Sequence, residues 1–514
     1  MTARPDAVLG IDVGTSVVKA GVLTLDGVMQ ATASRPVALQ QRSSGRAEQD
    51  LDDLYRAAAD ATRQCLTGSR FAAERIGAVA VAGQMAGVGI VDAKHRPLAP
   101  YDSWLDTRCA PVVDELSETL GPRITAVAGC APTISVGPKM VWWHRHHPSV
   151  CADAAAFVTA AGYVAGRAAG LSGKKAFIDP SYLHFTSVAD VGRGRWDEAL
   201  GHAVGIDPDL LPTIVESTSI VGELSAQTAP DFGLLAGTPV AAGCGDTAAS
   251  ALGAGVTAAG QAFDIAGTAA VFGVCLPTFA PDTNHGTLMT MRAALPGRWY
   301  SLAYVGGAGQ VIEWICREIF GHAALGDAGY AELATAAAEV APGSDGLIVS
   351  PHFSGRIAPV APALRGAVVG LSPIHRRAHL ARAILESIAF EYRRYADIAQ
   401  VLVPGSSIEE VVGTGGGSRS RVWNQIKADV LSTPYRPVVG VESGTRGAAL
   451  VAVAALGHDL PPLDPSVSGP VVTPDAANRP AYRAAYARYH RWSDRLVEGH
   501  QSEAVRSDEI GERP

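Results

Sequence analysis

One acidic residue near the start of the chain stands where a phosphate-binding turn would need it. Asp12 ends an apolar run, and Gly14, Thr15 and Ser16 follow it. Backbone N–H groups and hydroxyls in such a turn can bind phosphate oxygens, while the carboxylate can hold Mg²⁺, usually through water. An ordinary hairpin turn has the same composition, so this motif alone allows both interpretations.

A second acidic residue, Asp246, follows two glycines at the predicted start of a helix. Gly243 and Gly245 flank Cys244 directly before it, and Gly245 would let a ligand approach the backbone closely. The carboxylate could act as a general base that takes a proton from a substrate hydroxyl. It could equally be a helix N-cap, and the residues alone do not separate these two roles.

Two further motifs would suit a ligand with many hydroxyls or a flat ring. Trp104, Asp106 and Arg108 occupy alternate positions, which share one face in an extended chain. An aromatic wall beside an acid and a base suits a polyhydroxylated ligand, although a surface strand with a salt bridge is the plainer interpretation. Glycines 415–417 lie between a predicted strand and helix, where a ligand could approach the helix N-terminus, or where a simple loop could run.

The elements that would position these motifs alternate between strand and helix. Apolar runs predict strands at 8–12, 17–25, 76–82 and 88–91, with a helix at 51–66. This order indicates an α/β sheet layer. The pattern restarts near 236, with strands at 238–242, 261–265 and 269–275 and a short helix at 247–252.

An acidic residue and a Gly-Thr turn follow an apolar strand in both parts of the chain. The second copy contains Asp264, Gly267 and Thr268, and it is looser than the first. The repeat suggests two halves of similar build. Helices at 380–401, 420–431 and 447–456 and a strand at 410–412 complete the second half, so we predict domains at 1–250 and 251–490 and a polar tail at 491–514.

Composition excludes several classes of protein. The 514 residues favour two to four domains, at roughly 150 residues per domain. With 42 basic and 50 acidic residues the net charge is −8, which gives no overall attraction to nucleic acid or anionic membranes. Seven cysteines without a CxxC pair argue against disulfides and structural zinc, and no apolar segment is long enough to span a bilayer. We expect a cytoplasmic protein.

Several well-known catalytic motifs are absent from the sequence. It contains no GxxxxGK[ST] loop, no GxGxxG after a strand, no GxSxG and no HExxH. P-loop NTPases, Rossmann dehydrogenases, α/β-hydrolases and zincins therefore lose support. His144, His146 and His147 cluster together, and an exposed helix end explains them better than a metal site.

Together and in this order, the motifs resemble the FGGY family of carbohydrate kinases, within the larger actin, Hsp70 and sugar-kinase group. The most specific stretch is 366–386, which matches the family's C-terminal pattern. Gly83-Gln84-Met85 resembles a sugar-site loop, and Pro138-Lys139 resembles a block that follows it. The resemblance extends over residues 6 to 490.

The resemblance implies two actin-like (ribonuclease H-like) α/β domains with a cleft between them, and ATP and Mg²⁺ as cofactors. It implies Asp246 as catalytic base and Asp12 with Asp246 as holders of the metal ion. The implied substrate contacts are Gln84, Met85, Ala86, Trp104, Asp106 and Asp246. The implied nucleotide contacts are Gly14, Thr15, Ser16, Gly267, Thr268, Gly309, Gly416, Gly417 and Ser420. Dimers are common in the family, so a homodimer is compatible with it.

Within the family the motifs look most like those of xylulokinases, which predicts a ketopentose substrate. Ala86 replaces the histidine that xylulokinases usually carry in the sugar loop, Thr247 replaces a frequent Asn, and residues 354–357 lack the usual Glu. Ribulose, erythritol, glycerol or a sugar acid remain alternatives, as does a non-catalytic actin- or Hsp70-like module. Glycerol fits worse because Met85-Ala86 stands where glycerol kinases carry Arg-Glu.

Overall fold

Two six-stranded sheets form the framework of the computed structural model, which describes residues 5–511 except 43, 70, 268, 323–325 and 363, with side chains to 499. The first sheet contains β1 (Ala7–Val13), β2 (Val17–Thr24), β3 (Met29–Pro36), β4 (Ile76–Gly83), β5 (Ile220–Glu223) and β6 (Pro239–Gly245). The second contains β7 (Gln261–Ala266), β8 (Ala270–Leu276), β9 (Met289–Arg292), β10 (Trp299–Val305), β11 (Glu410–Thr414) and β12 (Tyr435–Pro437).

Fourteen α-helices lie among the described residues. In the first part of the chain they are α1 (Leu51–Ser69), α2 (Ala110–Ala128), α3 (Val136–His146), α4 (Pro148–Asp153), α5 (Ala160–Ala168), α6 (Glu198–Val204), α7 (Ala229–Phe232) and α8 (Asp246–Gly253). The others are α9 (Ala308–Trp314), α10 (Asp327–Ala338), α11 (Arg377–Leu402), α12 (Arg421–Leu431), α13 (Ser443–Ala455) and α14 (Arg479–Gly511).

Five strands follow the same order in both sheets, β3-β2-β1-β4-β6 in the first and β10-β8-β7-β11-β12 in the second, which confirms the predicted α/β class with two halves of similar build. The first runs β5-β6-β4-β1-β2-β3 and the second β9-β10-β8-β7-β11-β12. In each, one strand pairs with an antiparallel neighbour on one side and a parallel strand on the other, β1 in the first and β7 in the second. Both faces of β1 and β4 are covered, so these strands are continuous apolar runs.

Helix α13 belongs by packing to the first sheet, although it comes late in the chain. It lies against α8 and against strands β1, β2, β4 and β6. Glycines permit this contact: a Cβ on Gly253 would overlap the carbonyl oxygen of Ser443, and one on Gly447 would overlap that of Ala249. A helix inside the predicted second domain, 251–490, therefore completes the core of the first half.

The segment predicted as a polar tail, 491–514, is helical over its described part, 491–511. Helix α14 continues to Gly511, and Arg394 of α11 forms an ion pair with Asp494 at 3.4 Å. Tyr489 is buried and donates a hydrogen bond to Glu391 at 2.6 Å, which fixes α14 on α11. Among the described residues, no helix is sufficiently long and apolar to cross a membrane.

Candidate active site

The register of the first sheet brings three predicted motifs to one edge. Val13 pairs with Gly83, and Gly83 pairs with Gly245, all in parallel strands. The residues that follow these strand ends are the Gly14 turn, Gln84 and Asp246. Because the carboxyl ends of parallel strands lie together, motifs that are far apart in the chain meet at this edge.

A β-bulge turns the end of β6 toward this edge. The pairing of β6 with β4 shifts between Ala241 and Cys244, and Gly243 has a φ of 78°. Only glycine adopts that conformation readily, and a Cβ there would overlap Val81. Asp246 then begins α8, whose N-cap is Gly245 and has no side-chain cap bond. Asp246 is therefore not the N-cap of its helix, which leaves its carboxylate available for another role.

Asp12 carries an unsatisfied buried oxygen beside Asp246. Its Oδ1 has no hydrogen-bond partner among the described residues, and its Oδ2 lies against Gly444 at the start of α13. Burial and the nearby charge of Asp246 raise the pKa of Asp12 to about 7, while burial raises that of Asp246 to about 6. Two adjacent carboxylates with an orphaned buried oxygen fit a divalent cation. They offer the oxygen ligands that such an ion prefers, and the ion would neutralise their negative charge.

The predicted sugar-loop side chains are linked to the first phosphate turn by hydrogen bonds. Trp104 Nε1 donates to Thr15 Oγ1 at 2.9 Å, although 47% of the tryptophan surface is exposed. Gln84 Nε2 donates to Gln49 Oε1 at 2.7 Å, and Gln49 Nε2 donates to the Thr15 carbonyl at 2.9 Å. The buried thioether of Met85 packs against Gly245, directly before Asp246.

Ala86 has a left-handed backbone, with φ at 61°, and a buried lysine holds its carbonyl. Lys139 Nζ donates to the carbonyl of Ala86 at 2.9 Å and to that of Ser103 at 2.6 Å. Burial lowers the pKa of Lys139. This lysine joins the loop of Gln84 to the loop of Trp104, a role that we did not predict from the sequence. The only sequence feature that pointed to this lysine was the resemblance of Pro138-Lys139 to a family block.

Asp106 is engaged inside the protein. It is 1% exposed, its Oδ2 accepts the amide of Ala47 at 2.9 Å, and its Oδ1 accepts Arg108 Nε at 3.0 Å. Arg108 Nη2 also reaches Asp102 at 2.5 Å and Glu48 at 3.0 Å. The guanidinium thereby contacts all three carboxylates, so this acidic cluster already holds one cation. These bonds indicate that Asp106 shapes the loop; its predicted contact with a sugar stays a prediction.

The second sheet gathers the predicted nucleotide residues in the same way. Ile265 pairs with Thr414 in parallel, and Ala270 pairs with Val305, so Gly267, the 415–417 loop and the start of α9 emerge at one edge. A Cβ on Gly417 would lie 2.6 Å from that of Ala266. Gly309 lies in the first turn of α9, and Gly416 is exposed with open space above it. Thr268 lies outside the described residues.

Ser420, a predicted nucleotide contact, is the N-cap residue of helix α12. Its side chain caps α12 by accepting the amide of Trp423 at 3.3 Å. Ser16 is exposed, whereas Gly14 and Thr15 are half-buried beside it at the end of β1. Gly14, Thr15 and Ser16, the predicted first phosphate turn, thus lie at the edge of the first sheet near Asp12.

The two sheet edges meet at the start of α13. Gly444 touches Asp12 of the first half, and Ser443 Oγ lies 3.4 Å from Thr414 Oγ1 of the second. Asp264, the repeat of Asp12, takes no part in this meeting point. It is fully buried and accepts hydrogen bonds from Lys427 at 2.5 Å and Tyr435 at 2.7 Å. The repeated acid has thus become part of the core.

Comparison with known proteins adds an independent finding. A model of the N-terminal domain of the FGGY family of carbohydrate kinases matches residues 7–253, and a model of its C-terminal domain matches residues 263–456. The xylulose kinase of Bacillus subtilis (strain 168) is 27% identical over 457 residues, covering 88% of each chain. The gluconokinase of the same strain is 26% identical over 462 residues, covering 87% of each.

A solved structure extends the comparison to the fold. The crystal structure of xylulose kinase from Rhodospirillum rubrum has a TM-score of 0.88 and 29% sequence identity. The match covers 96% of this chain and 100% of that one. It confirms the predicted two-domain, actin-like architecture.

Proposed function

The chain belongs to the FGGY family of carbohydrate kinases, and from this membership we propose that it transfers the γ-phosphate of ATP to a hydroxyl of a ketopentose. The observation that carries the proposal is the edge of the first sheet, where Asp246, Gln84 and the Gly14 turn converge. The names of the xylulose kinase relatives support a ketopentose.

Asp246 would act as the general base. The sugar hydroxyl oxygen attacks the γ-phosphorus, the bond from that phosphorus to the β,γ-bridging oxygen breaks, and ADP leaves. The hydroxyl proton passes to the Asp246 carboxylate. With its pKa raised to about 6, this carboxylate is ionised at neutral pH and still basic enough to accept the proton.

Asp12 and Asp246 would hold Mg²⁺ near the phosphates. When bound, the ion neutralises charge on the phosphate oxygens. The orphaned Oδ1 of Asp12 supports this assignment, because a buried anionic oxygen without a donor is costly unless a cation or water satisfies it.

Gln84, Met85 and Trp104 would contact the sugar, with Trp104 covering its carbon face. Ala86 would leave space where a histidine would reach the sugar, so we propose that the pocket accepts sugars bulkier than xylulose. Asp106 would act chiefly by fixing the loop that presents Trp104, since Ala47 and Arg108 already use both of its oxygens.

The ATP phosphates would lie between two turns, Gly14 to Ser16 in the first half and Gly267-Thr268 in the second. Adenine and ribose would lie along Gly309, Gly416 and Gly417, where the exposed backbone of Gly416 offers open space. Ser420 would contribute mainly by capping the helix behind them.

An ADP-release assay with Mg-ATP against ketopentoses, aldopentoses, polyols, glycerol and gluconate tests the proposal. We expect one or more ketopentoses to give the highest kcat/KM. Gluconate is the second candidate, because a gluconokinase is nearly as similar to the chain as the xylulose kinase. A gluconate preference would contradict the ketopentose assignment, and no sugar-dependent ADP release from folded protein would contradict the kinase assignment.

A further inference from the structure

We propose that Asp179 and Ser181 are positioning residues that hold the bulged end of β6 and thereby aim the carboxylate of Asp246. This inference rests on the proposed role of Asp246 as the base. Neither residue belongs to the predicted sugar, nucleotide or metal contacts.

Asp179 is a buried carboxylate whose bonds are all to neutral donors. Its Oδ1 accepts the backbone amide of Ser181 at 2.9 Å, the hydroxyl of Ser181 at 2.6 Å and the hydroxyl of Ser217 at 3.0 Å. It is 3% exposed, and burial raises its pKa to about 7. No lysine, arginine or histidine among the described residues forms an ion pair with it. A carboxyl group kept in the interior at such cost needs a structural reason.

Ser181 and Ser217, which both donate to Asp179, also accept hydrogen bonds from backbone amides at the end of β6. Ser181 Oγ, having donated its hydrogen to Asp179, accepts the amide of Gly245 at 2.8 Å. The carbonyl of Ser217 accepts the amide of Gly243 at 3.0 Å. Gly243 lies within the register shift and pairs with no residue of β4, so Ser217 supplies the partner that the ladder does not. The amide of Gly243 in the bulge and the amide of Gly245 just after it are thus both bound from the Asp179 side.

The same turn also touches the sugar loop. Tyr182 donates its hydroxyl to the carbonyl of Gly83, directly before Gln84, at 2.8 Å. The turn that contains Ser181 and Tyr182, Pro180–Phe185, packs on β9 of the second half. One short element therefore sets the distance between the proposed base and the proposed sugar contacts.

Loss of this anchoring should change the ratio of sugar phosphorylation to ATP hydrolysis by water. Asp246 follows Gly245 directly, so an unanchored Gly245 amide would let the carboxylate drift from the attacking hydroxyl. A displacement of about 1 Å can cost roughly a hundredfold in rate. Water, which needs no fixed position, would lose less, so sugar phosphorylation should fall more than ATP hydrolysis without sugar.

The experiment compares Ser181→Ala with Thr186→Ala. Thr186 is a matched control because it is fully buried in the same stretch and donates only to the local carbonyl of Leu183. We measure ADP release with the best sugar and without sugar, and take their ratio. Ser181→Ala should lower this ratio roughly 10- to 100-fold, whereas Thr186→Ala should change it less than about twofold.

Further variants at Asp179 keep the test decisive if Ser181→Ala folds poorly. Asp179→Asn retains an oxygen acceptor and should keep a near-normal ratio, while Asp179→Ala should lower it as Ser181→Ala does. Equal losses of both activities, with an unchanged ratio in Ser181→Ala or in Asp179→Ala, would overturn the positioning role alone. A wild-type protein without any sugar-dependent ADP release would overturn the kinase assignment and this inference together.

Discussion

Trp104 donates its indole N–H to the hydroxyl of Thr15 across 2.9 Å, which joins the proposed sugar loop to the proposed phosphate turn. The backbone of the same threonine is held by Gln49, which in turn binds Gln84. The sugar and phosphate contacts therefore share one hydrogen-bonded frame, and a change in one loop should be felt at the other.

Removing only the indole donor should separate these effects. Trp104→Phe keeps an aromatic face but loses the bond to Thr15, so we expect kcat to fall roughly five- to tenfold, the value of one hydrogen bond, with little change in the KM for sugar. Trp104→Ala should also raise that KM, because it removes the aromatic wall. Steady-state kinetics of both variants provide the measurement, and identical effects would contradict the shared frame.

The two repeated acids should respond oppositely to the same substitution. Asp264→Asn disrupts a buried ion pair with Lys427 and should lower the free energy of unfolding by roughly 3–5 kcal/mol. Asp12→Asn removes an unsatisfied buried charge, so stability should be unchanged or higher while kinase activity is lost. Urea unfolding of both variants checks this. A loss of stability in Asp12→Asn comparable to that in Asp264→Asn would show that Asp12 is also a core residue.

Stability should depend on pH and Mg²⁺ through Asp12 and Asp246. Their folded pKa values, about 7 and about 6, lie above the ordinary 3.8, so the folded state binds more protons between these limits. Their contribution to stability is therefore fully present below about pH 4 and is lost as pH rises to about 7. Mg²⁺ binds the ionised form, so it should raise the Tm more at pH 8 than at pH 5.

Thermal unfolding with Mg²⁺ and with EDTA, at both pH values, measures this difference. Asp12→Asn is the control and should weaken the pH dependence, of which the Asp246 part remains, and should reduce the effect of Mg²⁺. An increase in Tm that is equal at pH 5 and pH 8, or that survives in Asp12→Asn, would place the metal ion elsewhere.

The sugar loop offers a test of specificity at a single position. Ala86→His should be tolerated by the backbone, since histidine is one of the non-glycine residues found more often at positive φ. The ring would fill the proposed space, so we expect kcat/KM for xylulose to rise roughly tenfold and that for bulkier sugars to fall by a similar factor. Ala86→Ser, which adds little volume, is the matched control. An unchanged substrate profile in Ala86→His would mean that residue 86 does not face the sugar.

Strand ends and the residues after them could be predicted from the sequence, because a Gly-Thr or Gly-Gln pair after an apolar run marks the point where a buried strand turns. The convergence of Asp12, Gln84 and Asp246 then follows from parallel pairing. The bulge at Gly243 could not be predicted, since the residues that bind the amides of Gly243 and Gly245, Ser217 and Ser181, are distant in the chain. Local patterns do not contain such partners.

Two further features of the fold also depend on partners that are distant in the chain. The packing of α13 on the first sheet depends on matching glycines in α8 and α13, and the helix after residue 491 depends on contacts with α11. Asp106 shows the converse case. Its spacing to Trp104 suggested a shared ligand, whereas its hydrogen bonds tie it to Ala47 and Arg108.

The most direct test of the proposed mechanism is the turnover of Asp246→Asn. The substitution keeps the size of the side chain and removes its ability to accept the sugar proton. With Mg-ATP and the preferred sugar, we expect kcat to fall roughly 10²- to 10⁴-fold, while the Tm and the affinity for ATP stay within the range of the wild-type protein. A variant that turns over within a few-fold of wild type would contradict the assignment of Asp246 as the base.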